Sequence, residues 1–205
     1  MDIGFSEEQE LLRDTARKFL DAACTTKFVR ERMETAEAVT PEFWAQLAEQ
    51  GWLGILYPEE DGGSGLGLTD LVVLMEEMGR AVMPGPYLAT VLLGGAAIRE
   101  AGSAAQRGEY LPAIAEGRLK ATLAATEPNA RWDASGVMLE AQPMRGGFNL
   151  SGTKLFVPDA HLADIIVVAI TNAGARSRCT RKRSCCRAGT CCCAKWDASL
   201  LPPQS

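Results

Sequence analysis

The residues that could do chemistry fall in three places. Six of the seven cysteines (Cys179, Cys185, Cys186, Cys191, Cys192 and Cys193) crowd together near the end of the chain. Structural zinc takes four such ligands, usually as two separated pairs. Here two cysteines are adjacent and three are consecutive, and neighbouring side chains diverge, so the spacing makes a poor metal site. The second place is the loop Pro58–Gly67, where Glu59, Glu60 and Asp61 precede four glycines. Its carboxylates read as a solvated acidic turn rather than an acid/base pair. Its glycines read as structural, placed where positive φ or close backbone approach is needed. The third is the single histidine, His161, which the turn Pro158-Asp159-Ala160-His161 places on the surface.

Charge separates the cysteine-rich end from the rest. Residues 1–172 carry 14 Lys+Arg and 25 Asp+Glu, whereas residues 173–205 carry 7 basic residues and one acid, Asp197. A chain with formal net charge −5 is not built to bind nucleic acid. The basic tail has only Trp196 as an aromatic, which argues against a nucleic-acid arm. It follows neither helical nor strand period, and its Arg/Cys/Ala/Gly composition reads best as a reading-frame slip in a GC-rich gene, expected to lack order. Cys24, the one cysteine of the main body, fits a reducing cytoplasmic location and reads as a buried bystander. MDIGFSEEQE has neither the basic nor the apolar region of a signal peptide, and no apolar run is long enough to span a membrane.

The elements that must position any site are helices first. Ser6 and Gln9 form a capping box, followed by Leu11, Leu12, Ala16, Phe19, Leu20 and Ala23 at helical spacing. Thr40-Pro41 opens a second helix that stops at Gly51. Thr69 is predicted to cap a third, with Leu71, Leu74, Met75 and Met78 inside and Glu76, Glu77 and Arg80 in water. A long apolar helix is predicted from Tyr87 to about Glu100, and a last one over Ala104–Glu116. At about Lys120 the period changes. Strands are predicted over 121–126, 137–141, 148–157 (two short strands around a Gly turn) and 164–170, with a hairpin at Gly146-Gly147. The fold class is α+β: an all-α helical bundle over 1–118, an incomplete antiparallel β domain over 119–172, and the irregular tail 173–205.

Three stretches in this order carry a resemblance: the glycine loop Pro58–Gly67, Ala125-Thr126-Glu127-Pro128, and Gly152-Thr153-Lys154-Leu155-Phe156-Val157. Together, behind a helical domain, they resemble the acyl-CoA dehydrogenase family over about residues 5–172. The resemblance implies FAD, α,β-dehydrogenation of an acyl-CoA thioester, and an electron-carrier flavoprotein as acceptor. It also implies homo- or hetero-oligomers with full-length relatives. Thr126 matches the threonine that touches the pyrimidine end of the flavin, where reduced flavin gathers negative charge. Phe156 matches an aromatic packed on the flavin, and Val157 and Pro158 fall beside its N5. Pro158 brings no N–H and no hydroxyl. Where the family runs Gly-Ala-Gly-Ser-Asp, this chain has Asn129-Ala130-Arg131-Trp132-Asp133. Arg131 there is a candidate phosphate partner, and Trp132 is a candidate substrate contact. Leu88, Ala89, Leu92 and Leu93 are candidate lining for an acyl chain. The family's catalytic carboxylate lies in a C-terminal helical domain with no counterpart in these 205 residues, so no catalytic base is assigned, and no metal.

Overall fold

In the computed structural model the described residues are 4–145, 147–171 and the backbone of 191–193. Nearly all of the cysteine-rich tail lies outside them. They form two compact units, residues 1–86 with 115–117, and residues 87–114 with 118–205. The change of period near 118 is thus a boundary of pattern. Compactness instead groups the apolar helix after Tyr87 with the strands.

The first unit holds α1 (Glu7–Ala23), α2 (Thr26–Met33), α3 (Pro41–Glu49) and α4 (Leu68–Arg80). The capping box of α1 is present: Gln9 N–H donates to Ser6 Oγ, and Ser6 N–H donates to Gln9 Oε1. Thr40 caps α3, whose first residue is Pro41. The helix ends before Gly51, which takes φ +74°. Helix α2 was not legible. Its eight residues bury none of their own side chains, so they show no apolar stripe.

The glycine loop is a close-packed turn. Leu66 N–H donates to Ile55 O, and Gly65 N–H donates to Tyr57 O. A Cβ on Gly63 would sit 2.1 Å from Tyr57 O, so only glycine fits. Glu59 and Glu60 are exposed, as an acidic turn requires, while Asp61 is buried.

Helix α4 departs from its predicted form in two ways. Its N-cap is Gly67, not Thr69, and the Asp70 carboxylate accepts the Gly67 N–H at 2.8 Å. Also, Glu77, expected in water, is only 3% exposed, while Val73 rather than Met75 fills the core. The reason is a set of cations on both sides. Arg17 of α1 holds Glu77 through two bonds of 2.6 and 3.0 Å, and Arg80 adds one of 2.7 Å. Arg80 also reaches Asp21 at 2.7 Å. Burying a carboxylate is tolerable only with such partners. The Arg17 hydrogen bond, with Arg80 beside it, holds Glu77 down to about pKa 2, against the opposing effect of burial.

In the second unit the apolar stretch after Tyr87 is a π-helical segment, Leu88–Gly95, running into α5 (Ala96–Ala101). It lies against β1 (Ala121–Ala124) so closely that a Cβ on Gly94 would stand 2.6 Å from Ala121 Cβ. Helix α6 (Ala104–Ala115) follows, with Ser103 and Gln106 making a second reciprocal cap. The hairpin of β2 (Ala141–Met144) and β3 (Gly147–Leu150) is antiparallel, as expected. In contrast, β1 pairs in parallel with β4 (Ile165–Val168). The chain between them is long enough to bring the second strand back in the same direction. On β4, residues 191–193 add a parallel backbone strand, β5, where the tail's pattern gave no strand.

Two predicted strands are not ladder strands. Met138 and Leu139 donate to the Glu127 carboxylate, and the stretch keeps only an isolated parallel bridge between Glu140 and Thr171. Residues 151–157 form no ladder: Lys154 turns inward to Glu127, and Phe156 leaves extended geometry at φ +51°.

The Glu77 cluster makes a pH-dependent contribution to stability. Glu77 has a folded pKa below its ordinary value of 4.5. Its contribution is therefore complete above that value and lost as pH falls toward about 2. Arg17 and Arg80 can turn back to water, so Glu77→Gln is expected to cost about 2 kcal/mol, less than the ~3–5 kcal/mol of a fully buried pair. Urea unfolding followed by circular dichroism should show this loss at neutral pH. It should also show a flatter acid dependence in the variant.

Candidate functional site

The second unit brings the stretches 125–128 and 152–157 side by side. Leu155 N–H donates to Thr126 O at 2.8 Å. Behind this contact, Glu127 Oε1 accepts from Lys154 Nζ at 2.7 Å, Leu139 N–H at 2.9 Å and Met138 N–H at 3.1 Å. Lys154 Nζ also donates to Ala125 O at 3.1 Å. Both charged side chains are more than nine-tenths buried. Burial pushes the Glu127 carboxyl up, but the Lys154 ammonium and the Leu139 and Met138 amides outweigh it and hold the group below the usual carboxylate range. Neither charge was singled out from the sequence. The signal was present, since both lie inside the stretches that carry the resemblance.

This core pushes the candidate residues outward. Phe156 has φ +51° and is 82% exposed. Two bonds frame it: the Leu155 donation on one side and, on the other, buried Thr122, whose hydroxyl donates to Pro158 O at 2.6 Å. Between them Phe156 stands out to solvent, while Val157 packs partly on the cluster of Ala124, Val168 and Ile170. Thr126 and Val157 are half-buried, and Pro158 is exposed. Thr126, Phe156, Val157 and Pro158 therefore belong to one surface edge.

Arg131 and Trp132 sit on a neighbouring loop that is built locally. Asn129 Oδ1 accepts the Arg131 N–H at 3.0 Å, and Asn129 Nδ2 donates to Gly136 O at 2.8 Å. Asp133 caps a short turn over Ala134–Gly136. The Ser135 hydroxyl and amide hold its carboxyl below its ordinary value. Arg131 is exposed, and Trp132 is 87% exposed.

The four candidate acyl-chain residues are placed unequally. Ala89 is fully buried, Leu88 is exposed, and Leu92 and Leu93 are half-buried. An open cleft of about 470 Å³ is lined by Glu127, Pro128, Met138, Leu139, Gln142 and Thr153, among others. It touches the buried carboxylate but not Thr126 or Phe156. His161 is exposed. Cys24 is buried, its thiol pushed up by burial and donating to Ala81 O. Among the described residues no cluster of His, Cys, Asp or Glu could hold a metal ion, and no helix is long and apolar enough to cross a membrane. The expected zinc-poor spacing of the tail cysteines falls outside the described side chains.

The edge suits one face and rim of a planar cofactor. It offers an outward aromatic, a threonine beside it and an exposed backbone bulge, with the Pro158 position donating nothing.

Residues 6–118 match the family model described as acyl-CoA dehydrogenase, N-terminal domain. The chain is 35% identical over 167 residues to the mitochondrial isovaleryl-CoA dehydrogenase of Pongo abelii, covering 80% of this chain and 40% of that protein. The solved structure of the Tcur3481-Tcur3483 steroid ACAD superposes with TM-score 0.71 at 35% identity, over 80% of this chain and 45% of that one. The ChsE4-ChsE5 complex of Mycobacterium tuberculosis gives TM-score 0.71 at 25% identity, over 81% and 44%. The chain thus spans less than half the length of these relatives.

The strained aromatic yields a direct test. Phe156 buries little and holds a left-handed backbone that costs a non-glycine residue roughly 1–2 kcal/mol. Asparagine adopts that region more readily. Phe156→Asn is expected to stabilise the chain by about 0.5–1 kcal/mol in urea unfolding, whereas a phenylalanine held by packing would lose stability.

Proposed function

The chain belongs to the acyl-CoA dehydrogenase family, and on that premise we propose that it is the front part of an FAD-dependent oxidoreductase acting on acyl-CoA thioesters. The observation that carries the reading is the hydrogen bond from Leu155 N–H to Thr126 O. It puts the threonine and the aromatic of two distant stretches on one edge. Thr126 would hold the pyrimidine end of the flavin through its backbone and hydroxyl, Phe156 would pack on the ring, and Val157 and Pro158 would lie near N5. Bound FAD would supply the hydride acceptor for α,β-dehydrogenation.

Each residue's part follows from its chemistry. A hydroxyl beside the flavin's O2 stabilises negative charge gathered there. Pro158 donates no hydrogen bond, so at that position the edge orients by shape alone. Arg131, exposed on its locally braced loop, would pair with a phosphate, and Trp132 would meet substrate where relatives carry a small residue. Leu88, Leu92 and Leu93 offer apolar surface for an acyl chain, with Ala89 packed beneath them. The acyl-CoA substrate, the electron-carrier flavoprotein, a cytoplasmic location and a role in lipid metabolism belong to the same reading. No residue of this chain is assigned as the catalytic base.

A purified sample tests this by absorption in the visible range. The expected outcome is weak flavin retention, restored by added FAD and reduced in Thr126→Val. A preparation that binds no FAD at any concentration would overturn the reading, and one that is tightly flavinated and active alone would overturn the front-part assignment.

A second reading is a non-catalytic pairing module, and one observation favours it. Leu68, Val72, Met75 and Gly79 on α4, with Val82 just beyond, recur at alternating spacings of four and three, as on a coiled-coil seam. Leu68, Val72 and Val82 are exposed, and a Cβ placed on Gly79 would meet nothing within 4 Å. The occupant would be a second subunit of this family, as in the two-component relatives above. In sedimentation equilibrium the chain is expected to self-associate and Val72→Glu to be monomeric. A monomer at all concentrations removes this reading.

A further inference from the structure

We propose that Glu127 and Lys154 are a positioning pair. They set the register of the Thr126 segment against the Phe156 segment, and the cofactor edge forms only where they meet. The inference rests on the flavin reading for its purpose but not for its geometry.

Three segments converge on this pair. Glu127 belongs to the stretch that carries Thr126. Its Oε1 takes the Met138 and Leu139 amides, which end the loop bearing Arg131 and Trp132. Lys154 lies two residues before Phe156, and its ammonium spans the gap to both Glu127 Oε1 and Ala125 O. The ammonium thereby holds the peptide on one side of Thr126 and the carboxylate on the other. The next residue, Leu155, then stands where its N–H meets Thr126 O. A slip of one residue in either segment would withdraw the charge from its partner and expose the other face of the strand.

The penalty for such a slip is steep because both side chains are more than nine-tenths buried. Glu127 is 7% exposed, and its carboxylate oxygen already gathers three donors. A buried charge left alone is far costlier than a surface one. An apolar pair of similar volume would strand no charge, but it would leave the Met138 and Leu139 amides without their acceptor and would fix no register. The cost of a stranded charge and the loss of positioning therefore separate experimentally.

The test uses the full chain in four forms: wild type, Lys154→Arg, Lys154→Met, and the double variant Glu127→Met with Lys154→Met. Two quantities are read, hydrogen–deuterium exchange at the Leu155 amide and FAD affinity by quenching of flavin fluorescence. The double variant is expected to stay folded but to unfold at a lower midpoint than wild type, because the Met138 and Leu139 amides lose their acceptor. Its Leu155 amide should exchange on the order of tenfold faster, and its FAD affinity should fall on the order of tenfold, the scale of one lost hydrogen bond. Lys154→Arg keeps the charge and should restore both quantities to within about threefold of wild type. Lys154→Met, which strands the carboxylate, should lose both and stability as well. Wild-type exchange at Leu155 in the folded double variant would overturn the proposal, as would an unrescued Lys154→Arg. If wild type binds no FAD, the flavin reading fails, while the exchange data still decide the pair's role.

Discussion

A carboxylate taken out of water must be met by cations and N–H donors, and Glu127 is the carboxylate on which the candidate site depends. Its three donors come from two parts of the chain that sequence order keeps apart, Met138 with Leu139 and, further on, Lys154. Once those groups are committed, much else follows. Residues 137–140 cannot enter a ladder through the amides they have given away. The chain from Ser151 to Val157 enters no ladder, and Leu155 N–H meets Thr126 O. Phe156 is left outside, between two fixed points. The helical unit repeats the principle with Glu77, which Arg17 and Arg80 hold between α1 and α4. In both units a buried acid selects one arrangement of its neighbours by making the alternatives costly.

This explains which parts of the fold were legible. Two helix starts were, because caps are local chemistry: Ser6 with Gln9, and Thr40 with Pro41. The glycine loop was legible because close approach leaves no other residue type. What was missed depends on partners far along the chain. Periodicity placed Glu77 in water because it is charged, and only Arg17, sixty positions away, reverses that. The parallel sense of β1 with β4 is invisible to alternation, which reports faces and not directions. The same holds for the site. Thr126 and Phe156 were found by resemblance, but the pair that brings them together lay one and two residues away, unnoticed, because an ion pair has no sequence period.

Backbone strain is concentrated where the site would be. Of the described non-glycine residues with positive φ, Ala130, Phe156 and Asp159 all lie in the second unit, on the segments around the edge, and Val82 lies elsewhere. Such conformations persist only where surroundings over-determine them. At Phe156 the determinants are explicit, namely the Leu155 bond before it and the Thr122–Pro158 bond after it. Glycine would adopt this backbone freely but would present no ring. A phenylalanine there exchanges some stability for an aromatic ring turned to solvent.

The loop after Pro128 shows how a departure from the family run can be absorbed. Where relatives rely on small residues for close approach, this chain builds a turn from its own side chains. Asn129 spans it in both directions, to the Arg131 amide and to Gly136 O, and Asp133 caps the end. Gly136 has to be glycine here, since a Cβ would meet Arg131 Cβ at 2.7 Å. The loop is thus held without bulk in its interior, and its two large side chains, Arg131 and Trp132, are turned outward. In the proposed reading, contact at this position would fall to a guanidinium and an indole, which select by charge, plane and size. The substitution changes the kind of contact the edge can make while leaving the Glu127 core beneath it intact.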